Sequence, residues 1–135
     1  MPLTKGYKQL LDEAYGQIET VPINDALALL DDDGVQFVDI RDVRELHRTG
    51  TIPGAFHAPR GMLEFWVDPE SPYYKDVFGS GKKFVFFCAS AWRSALATKA
   101  LQDMGLGPVA HLEGGFTKWK DSGAPVQAPD EREAR

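Results

Sequence analysis

The sequence predicts an α/β domain with a mainly parallel sheet, and two observations carry this prediction. Short runs of β-branched and aromatic residues, such as 35–40 and 82–87, alternate with segments whose apolar residues recur at helical spacing. Most side chains in these short runs are apolar, which is typical of strands that are buried on both faces. Because 43% of the 135 residues are hydrophobic, the chain can form one compact core, and we expect a single domain over residues 1–135.

Three helices and one strand are predicted in the N-terminal part of the chain. Apolar residues at helical spacing define the first two helices, and Gly34 lies just beyond the second. The run VQFVDI predicts a buried strand, and Asp42 is in position to cap the helix that follows it. In chain order the predicted elements are a helix over 7–18, a helix over 24–34, a strand over 35–40 and a short helix from Asp42 to about His47.

Two further strand and helix units are predicted after an irregular stretch. Glycine and proline between Gly50 and Gly54 predict a turn, and KKFVFF is a run of residues that favour strands. In chain order the predicted elements are an extended piece over 55–58, mixed helix and loop over 60–83, a strand over 82–87, a helix over 94–105, a strand and glycine turn over 107–115, a helix over 116–123 and a polar tail over 124–135.

The composition argues against several classes of function. Charged residues make up 26% of the chain and the net charge is −5, so we expect no nucleic-acid partner and no binding to an anionic membrane. Charged and polar residues interrupt the apolar ones near the N-terminus, so we predict neither a signal peptide nor a membrane span there, and we expect a cytoplasmic protein. The single cysteine, Cys88, cannot form an internal disulfide and is either buried and inert or exposed and reactive.

Cys88 follows a predicted strand and precedes a predicted helix, which is where functional groups collect in parallel α/β sheets. If residues 88–93, CASAWR, curl into a loop, their N–H groups and the helix N-terminus create a positive potential at the sulfur. Such a field favours a thiolate and holds a small anion such as thiosulfate, and Arg93 adds a full charge. These features leave a sulfurtransferase, a phosphatase and a redox thiol open, with a small buried cysteine as the simpler alternative.

Three segments, in this order, resemble signatures of the rhodanese family. They are VDIRDVRELHRTGTIPGA at 38–55, FVFFCASAWRSALATKALQDMG at 84–105 and LEGGFTKWKDSGAPV at 112–126. The resemblance implies a rhodanese-like five-stranded parallel sheet flanked by helices on both faces, with the site loop after the fourth strand. It also implies a core over about 18–126, with a helical extension before it and a polar tail after it.

The resemblance also separates the competing chemistries. Cys88 to Arg93 is a six-residue loop, as in rhodaneses, whereas related cell-cycle phosphatases use a loop that is one residue longer. The implied reaction is attack of the Cys88 thiolate on thiosulfate or a similar anionic donor, which leaves a persulfide. Cyanide or a thiol, including a protein thiol, then accepts the sulfur, and no metal or organic cofactor is expected.

The resemblance gives Cys88 the catalytic role and assigns supporting roles around it. The expected substrate-binding residues are Ala89, Ser90, Ala91, Trp92, Arg93, Ser94 and Arg60. For Arg60 an ordinary surface position is the alternative. Asp39 and Arg41 are expected to form a structural salt link, and Glu45 to contact Arg41 or a loop arginine.

Two loop residues are unusual for the family. Ala91 stands where glycine is common, so a positive φ there would cost energy or force the loop onto another path. Trp92 could stack on a substrate or shield it. The sequence places none of the three histidines beside Cys88, so we assign no base, and the scattered histidines and lone cysteine have no metal-ligand spacing.

Two rival functions remain. A binding or regulatory module could keep this fold and dock a partner through the loop or residues 60–83; Ala91 favours that reading and the presence of Cys88 and Arg93 disfavours it. Phosphate or arsenate chemistry is the second rival. The short loop disfavours it. The loop also offers no general acid to protonate a leaving group.

Overall fold

The computed structural model of the chain describes residues 2–129. Five strands form one sheet in the order β1-β5-β4-β2-β3, and every pair of neighbours is parallel. The strands are β1 (Glu19–Val21), β2 (Val35–Asp39), β3 (Phe56–His57), β4 (Lys83–Phe87) and β5 (Val109–Leu112). The α-helices are α1 (Tyr7–Gln17), α2 (Ile23–Leu29), α3 (Val43–Thr49), α4 (Leu63–Val67), α5 (Trp92–Asp103) and α6 (Gly115–Asp121).

Helices cover both faces of the sheet, as predicted. Side chains alternate along β4, so Phe84 and Phe86 pack with residues of α4 and α5, while Val85 and Phe87 pack with residues of α2 and α6. Each face therefore has its own buried apolar cluster. Cys88 continues the alternation of β4 and belongs to the cluster on the α4 and α5 face.

The sequence missed the first strand. β1 has only three residues, and of these only Val21 is buried, so no apolar pattern distinguishes it from the end of α1. α5 also begins at Trp92, two residues before the predicted start. The mixed assignment for 60–83 is confirmed, because this segment contains α4 and two short 3-10 helices at Arg60–Met62 and Asp76–Gly79.

Contacts with the rest of the domain extend beyond residues 18–126 on both sides. Leu11 and Ala14 of α1 are buried against a cluster that includes Ala95 of α5. Near the other end, Gln127 and Thr51 exchange two backbone hydrogen bonds of 2.8 and 3.1 Å. The part of the predicted polar tail at 130–135 lies outside the described residues.

The loops that follow β2, β4 and β5 lie at one edge of the sheet, because parallel strands all point the same way. After β2, Asp42 accepts a hydrogen bond from the Arg44 N–H and forms a capping box with Glu45, so α3 begins where the sequence predicted. Within residues 2–129, no helix is long and apolar enough to cross a membrane.

Candidate active site

The loop at Cys88 is fixed from the side of β5 and α6. The N–H of Phe116 donates to the Cys88 carbonyl at 2.8 Å, and that of Thr117 donates to the Ala89 carbonyl at 3.0 Å. Gly115 makes this close approach possible: its φ is +67°, and a Cβ there would lie 2.6 Å from both carbonyl oxygens. The turn after β5 therefore sets the path of the loop.

The Cys88 sulfur is buried but has polar neighbours. Its side chain is 1% exposed, as expected of the buried alternative. The N–H of Ser94 donates to Sγ at 3.4 Å, and the Ser94 hydroxyl oxygen lies 3.7 Å from Sγ. Among the described residues, the N–H groups of Ser90, Ala91 and Trp92 have no hydrogen-bond acceptor. The loop therefore has backbone donors that no acceptor in the described part of the chain uses.

Ala91 adopts the left-handed conformation, with φ 78° and ψ 3°. It is the only non-glycine residue with positive φ in the part of the chain that the structure describes. An L-residue in this region costs about 1–2 kcal/mol. The loop thus keeps the glycine-like path and bears the strain. The Ala91 carbonyl accepts from Ala95 N–H at 3.3 Å and lies 3.4 Å from the Tyr15 hydroxyl.

Arg93 is held beside the loop by Glu45, as the sequence suggested. The guanidinium donates two hydrogen bonds to the Glu45 carboxylate, at 2.7 and 3.0 Å. The hydrogen bond from Arg93 lowers the pKa of Glu45 below its usual range. The pKa of Arg93 is raised, chiefly by this hydrogen bond to Glu45 and to a smaller extent by Cys88. The Arg93 guanidinium is therefore fixed beside the loop, paired with Glu45.

Asp39 and Arg41 form a buried salt link at 2.8 Å, which confirms the expected contact. The Arg41 guanidinium also donates to the Gly50 carbonyl at 2.7 Å and lies 4.4 Å from the centre of the Phe116 ring. The Thr51 hydroxyl donates to Asp39 at 2.7 Å. These buried charges are therefore paired with each other and with neighbouring polar groups.

Arg60 and Trp92 lie in more open surroundings. The Arg60 guanidinium donates to Glu64, one turn later, at 3.0 and 3.2 Å, so its expected role in anion binding stays a prediction. The Trp92 side chain is 53% exposed, and its ring centre lies 5.2 Å from that of Tyr7 on α1. The helix α1 therefore borders the loop.

The structure adds His111, which the sequence did not place at the site. Its Nδ1 lies 3.2 Å from the Ser94 hydroxyl, and its Nε2 lies 3.0 Å from the Thr20 hydroxyl. The side chain is 1% exposed, and burial lowers the pKa of His111 to about 4, so the ring is neutral at neutral pH. A histidine inside an otherwise apolar strand was the available signal.

Tyr15 of α1 is a second residue that the sequence missed. Its ring centre lies 5.6 Å from that of His111. Burial, and after it the charge of Cys88, raise the pKa of Tyr15 above its usual range. The phenol therefore stays protonated at neutral pH. Tyr7 and Tyr15 lie about two turns apart and therefore on the same face of the predicted helix, and this spacing was the available signal.

A cavity of about 180 Å³ lies beside the loop, lined by Arg41, Ala89 and Phe116 among others. Cys88 is not among its lining residues, so the cavity does not mark the place of the sulfur. Within residues 2–129, no group of three or more His, Cys, Asp or Glu side chains is close enough to hold a metal ion.

Comparison with known proteins finds a matching domain family and similar solved structures. The model of the Rhodanese-like domain matches residues 23–122. The solved structure of a protein of unknown function from Rhodopseudomonas palustris, described as a possible tyrosine phosphatase, is 56% identical. That match covers 94% of this chain and 98% of the other, with a TM-score of 0.91.

Other relatives carry names from sulfur chemistry. The human thiosulfate:glutathione sulfurtransferase is 27% identical over 74% of this chain and 91% of its own length. The polysulfide-sulfur transferase homodimer of Wolinella succinogenes is 30% identical, covering 90% of this chain and 87% of that one, with a TM-score of 0.68. A further relative, an uncharacterised protein of Synechocystis, carries no such name. It is 32% identical over 70% of this chain, and this chain spans only about half, 48%, of the length of that relative.

Proposed function

The chain belongs to the rhodanese-like domain family, and on that premise we propose that it is a sulfurtransferase in which Cys88 carries a sulfane sulfur as a persulfide. One observation carries the proposal: the only cysteine lies inside a loop with unused backbone N–H groups and two contacts from Ser94. The apolar cluster to which Cys88 belongs would by itself suit an inert cysteine. Donors around a sulfur instead suit a negatively charged thiolate or persulfide.

The proposed reaction has two steps. The Cys88 thiolate attacks the outer sulfur of a donor such as thiosulfate, the sulfur–sulfur bond of the donor breaks, and sulfite leaves with the electron pair. A thiolate or cyanide then attacks the outer sulfur of the persulfide, and the Cys88 thiolate is released. Loop N–H groups and Arg93 stabilise the negative charge in both steps.

The donor class is a small anionic sulfur compound. The human relative is named for thiosulfate and glutathione and the Wolinella relative for polysulfide, so both donor types are candidates for this chain. The Ser90 and Trp92 N–H groups and the Arg93 side chain are the proposed contacts to the donor. Arg60 extends this positive surface when its partner Glu64 releases it.

Access to the sulfur requires side chains at the loop to move, because Cys88 is only 1% exposed. Trp92 and Tyr15, at 53% and 40% exposure, can change rotamer without opening the core. A small thiol, cyanide or a protein thiol then reaches the persulfide. The proposed location is the cytoplasm, where thiols stay reduced and a lone cysteine stays available.

A phosphatase is the second candidate, since the 56% identical protein from Rhodopseudomonas palustris is described as a possible tyrosine phosphatase. Sulfur transfer fits this chain better for two reasons. The loop from Cys88 to Arg93 has six residues, one fewer than in the related phosphatases. Glu45, a carboxyl group beside the loop, is held by Arg93 and has its pKa lowered, so it is a poor proton donor to a leaving group.

Intact-protein mass spectrometry tests the proposal. Purified chain is incubated with thiosulfate or with polysulfide and compared with a Cys88→Ser variant. We expect the mass of one added sulfur atom on the wild type, lost again when cyanide is added, and no addition on the variant. Because Cys88 is the only cysteine, the added sulfur is assigned without ambiguity.

Two outcomes would overturn the proposal. Release of phosphate from an aryl phosphate, with no sulfur addition from either donor, would establish the phosphatase. Neither sulfur addition nor phosphate release would indicate a binding module that has kept the fold.

A further inference from the structure

A continuous row of polar groups leads from the buried sulfur to the protein surface. Cys88 Sγ lies 3.7 Å from Ser94 Oγ, which lies 3.2 Å from His111 Nδ1. On the other side of the ring, His111 Nε2 lies 3.0 Å from Thr20 Oγ1. Cys88, Ser94 and His111 are each at most 1% exposed, whereas Thr20 at the end of the row is exposed.

A buried thiol needs a route by which its proton can leave when the thiolate forms. We propose that Ser94, His111 and Thr20 form a relay that carries the Cys88 proton to solvent. The relay rests on the proposed function only in taking Cys88 as the group that ionises, and it does not depend on the sulfur donor. His111 and Thr20 are then positioning residues, because they act on Cys88 through Ser94.

Every proton in the relay is accounted for, and Ser94, His111 and Thr20 stay neutral before and after the transfer. In the thiol state, the S–H donates to Ser94 Oγ, the Ser94 O–H donates to His111 Nδ1, and Nε2–H donates to Thr20. On ionisation each group passes one proton onward: sulfur to Ser94, Ser94 to Nδ1, Nε2 to Thr20, and Thr20 to water. The Ser94 O–H then points at the thiolate, and the ring has changed from the Nε2–H to the Nδ1–H tautomer.

The surroundings favour a tautomer change over a charged imidazolium. Burial lowers the pKa of His111, which disfavours the protonated ring. Among the titratable side chains near the relay, Tyr15 from α1 packs on the His111 ring, and the charge of Asp12, also on α1, acts on Tyr15. Cys88 follows β4, and Arg93 from α5 lies near enough for their charges to interact. Tyr15 stays a neutral phenol, and the charge of Arg93 is balanced by Glu45. The lowered pKa of His111 comes from burial, with no contribution from a carboxylate that would stabilise an imidazolium.

Nitrogen-15 NMR of the histidine side chains, combined with the ultraviolet absorbance of the Cys88 thiolate, tests the relay. We expect the His111 ring to change from the Nε2–H to the Nδ1–H tautomer over the same pH range in which the thiolate absorbance rises. At a pH where the wild type holds a thiolate, Cys88→Ser should show the Nε2–H tautomer. His57, whose Nε2 lies 2.7 Å from the Arg41 carbonyl, is the internal control and should give the same signals in the wild type and in Cys88→Ser at that pH.

Ser94→Ala breaks the row while leaving Cys88 and His111 in place. In this variant the thiolate should still form at equilibrium, which does not depend on the route that the proton takes, but the His111 tautomer should no longer follow it. The backbone amide spectrum verifies that the variant is folded. A His111 ring that keeps one tautomer while Cys88 ionises, or that becomes doubly protonated, overturns the relay. Since these readouts need no sulfur donor, they separate failure of the relay from failure of sulfur transfer.

Discussion

Two polar clusters lie side by side at the same edge of the sheet, and they differ in how completely their groups are paired. At the end of β2, Asp39 and Arg41 are 0% and 2% exposed and form an ion pair. Thr51 donates a further hydrogen bond to Asp39, and the Gly50 carbonyl accepts one from Arg41. After β4, the Cys88 loop keeps N–H groups that have no acceptor among the described residues and holds Ala91 at positive φ.

We propose that this difference separates a structural cluster, at Asp39 and Arg41, from a working one, at the Cys88 loop. Buried polar groups are normally paired, so a saturated ion pair fixes geometry and offers a ligand nothing. Unused donors and a strained residue, in contrast, concentrate at sites that bind or react. The two clusters are joined through Phe116, whose ring lies under Arg41 and whose N–H holds the Cys88 carbonyl. The structural cluster therefore supports the loop from behind.

Breaking the structural cluster should have the largest effect on stability. Asp39→Asn leaves the Arg41 charge buried without its partner, which we expect to lower the free energy of unfolding by about 3–5 kcal/mol. Chemical denaturation measures this loss. Asp42→Asn is the matched control, because Asp42 is an exposed cap that asparagine can replace, and it should change stability little. Equal losses in the two variants would contradict the structural role of Asp39.

Acid should lower the stability of the folded protein through His111, which contacts Ser94 beside Cys88. Burial lowers the pKa of His111 from 6.5 to about 4, so the unfolded chain takes up a proton before the folded one. The stability that the neutral ring provides is complete above pH 6.5 and is lost as the pH falls through about 4. At about 1.4 kcal/mol per pH unit, the loss is on the order of 3 kcal/mol.

Denaturation curves at several pH values measure this effect. His111→Gln lacks the titrating group, so its stability should fall less steeply than that of the wild type between the two pKa values. Parallel slopes for wild type and variant would show that His111 does not titrate as a buried neutral ring.

Relieving the strain in the loop should have the smallest effect, and of opposite sign. Ala91→Gly removes a left-handed alanine that costs about 1–2 kcal/mol. The extra freedom of glycine in the unfolded chain offsets about 0.5–1 kcal/mol of this gain. We expect a net gain on the order of 0.5 to 1 kcal/mol by denaturation. Ala100→Gly within α5 is the control and should lose about 1 kcal/mol. A loss in both variants would mean that Ala91 is not strained.

The sequence predicted those parts of the fold and site that depend on local pattern. The strand before Cys88, the cap at Asp42 and the contact from Glu45 to a loop arginine followed from apolar runs, capping residues and family motifs. It missed the partners of the site that are far along the chain. Tyr15 is 76 residues from Ala91 and Thr20 is 91 residues from His111, and no local pattern reports such contacts.

A crystal structure of the chain after treatment with thiosulfate tests the central claim most directly. We expect one additional sulfur atom bonded to Cys88 Sγ, within hydrogen-bond distance of the loop N–H groups, with Ala91 still at positive φ. An unmodified Cys88, or an added sulfur that contacts none of these N–H groups, would contradict the claim that the loop is built to hold a persulfide.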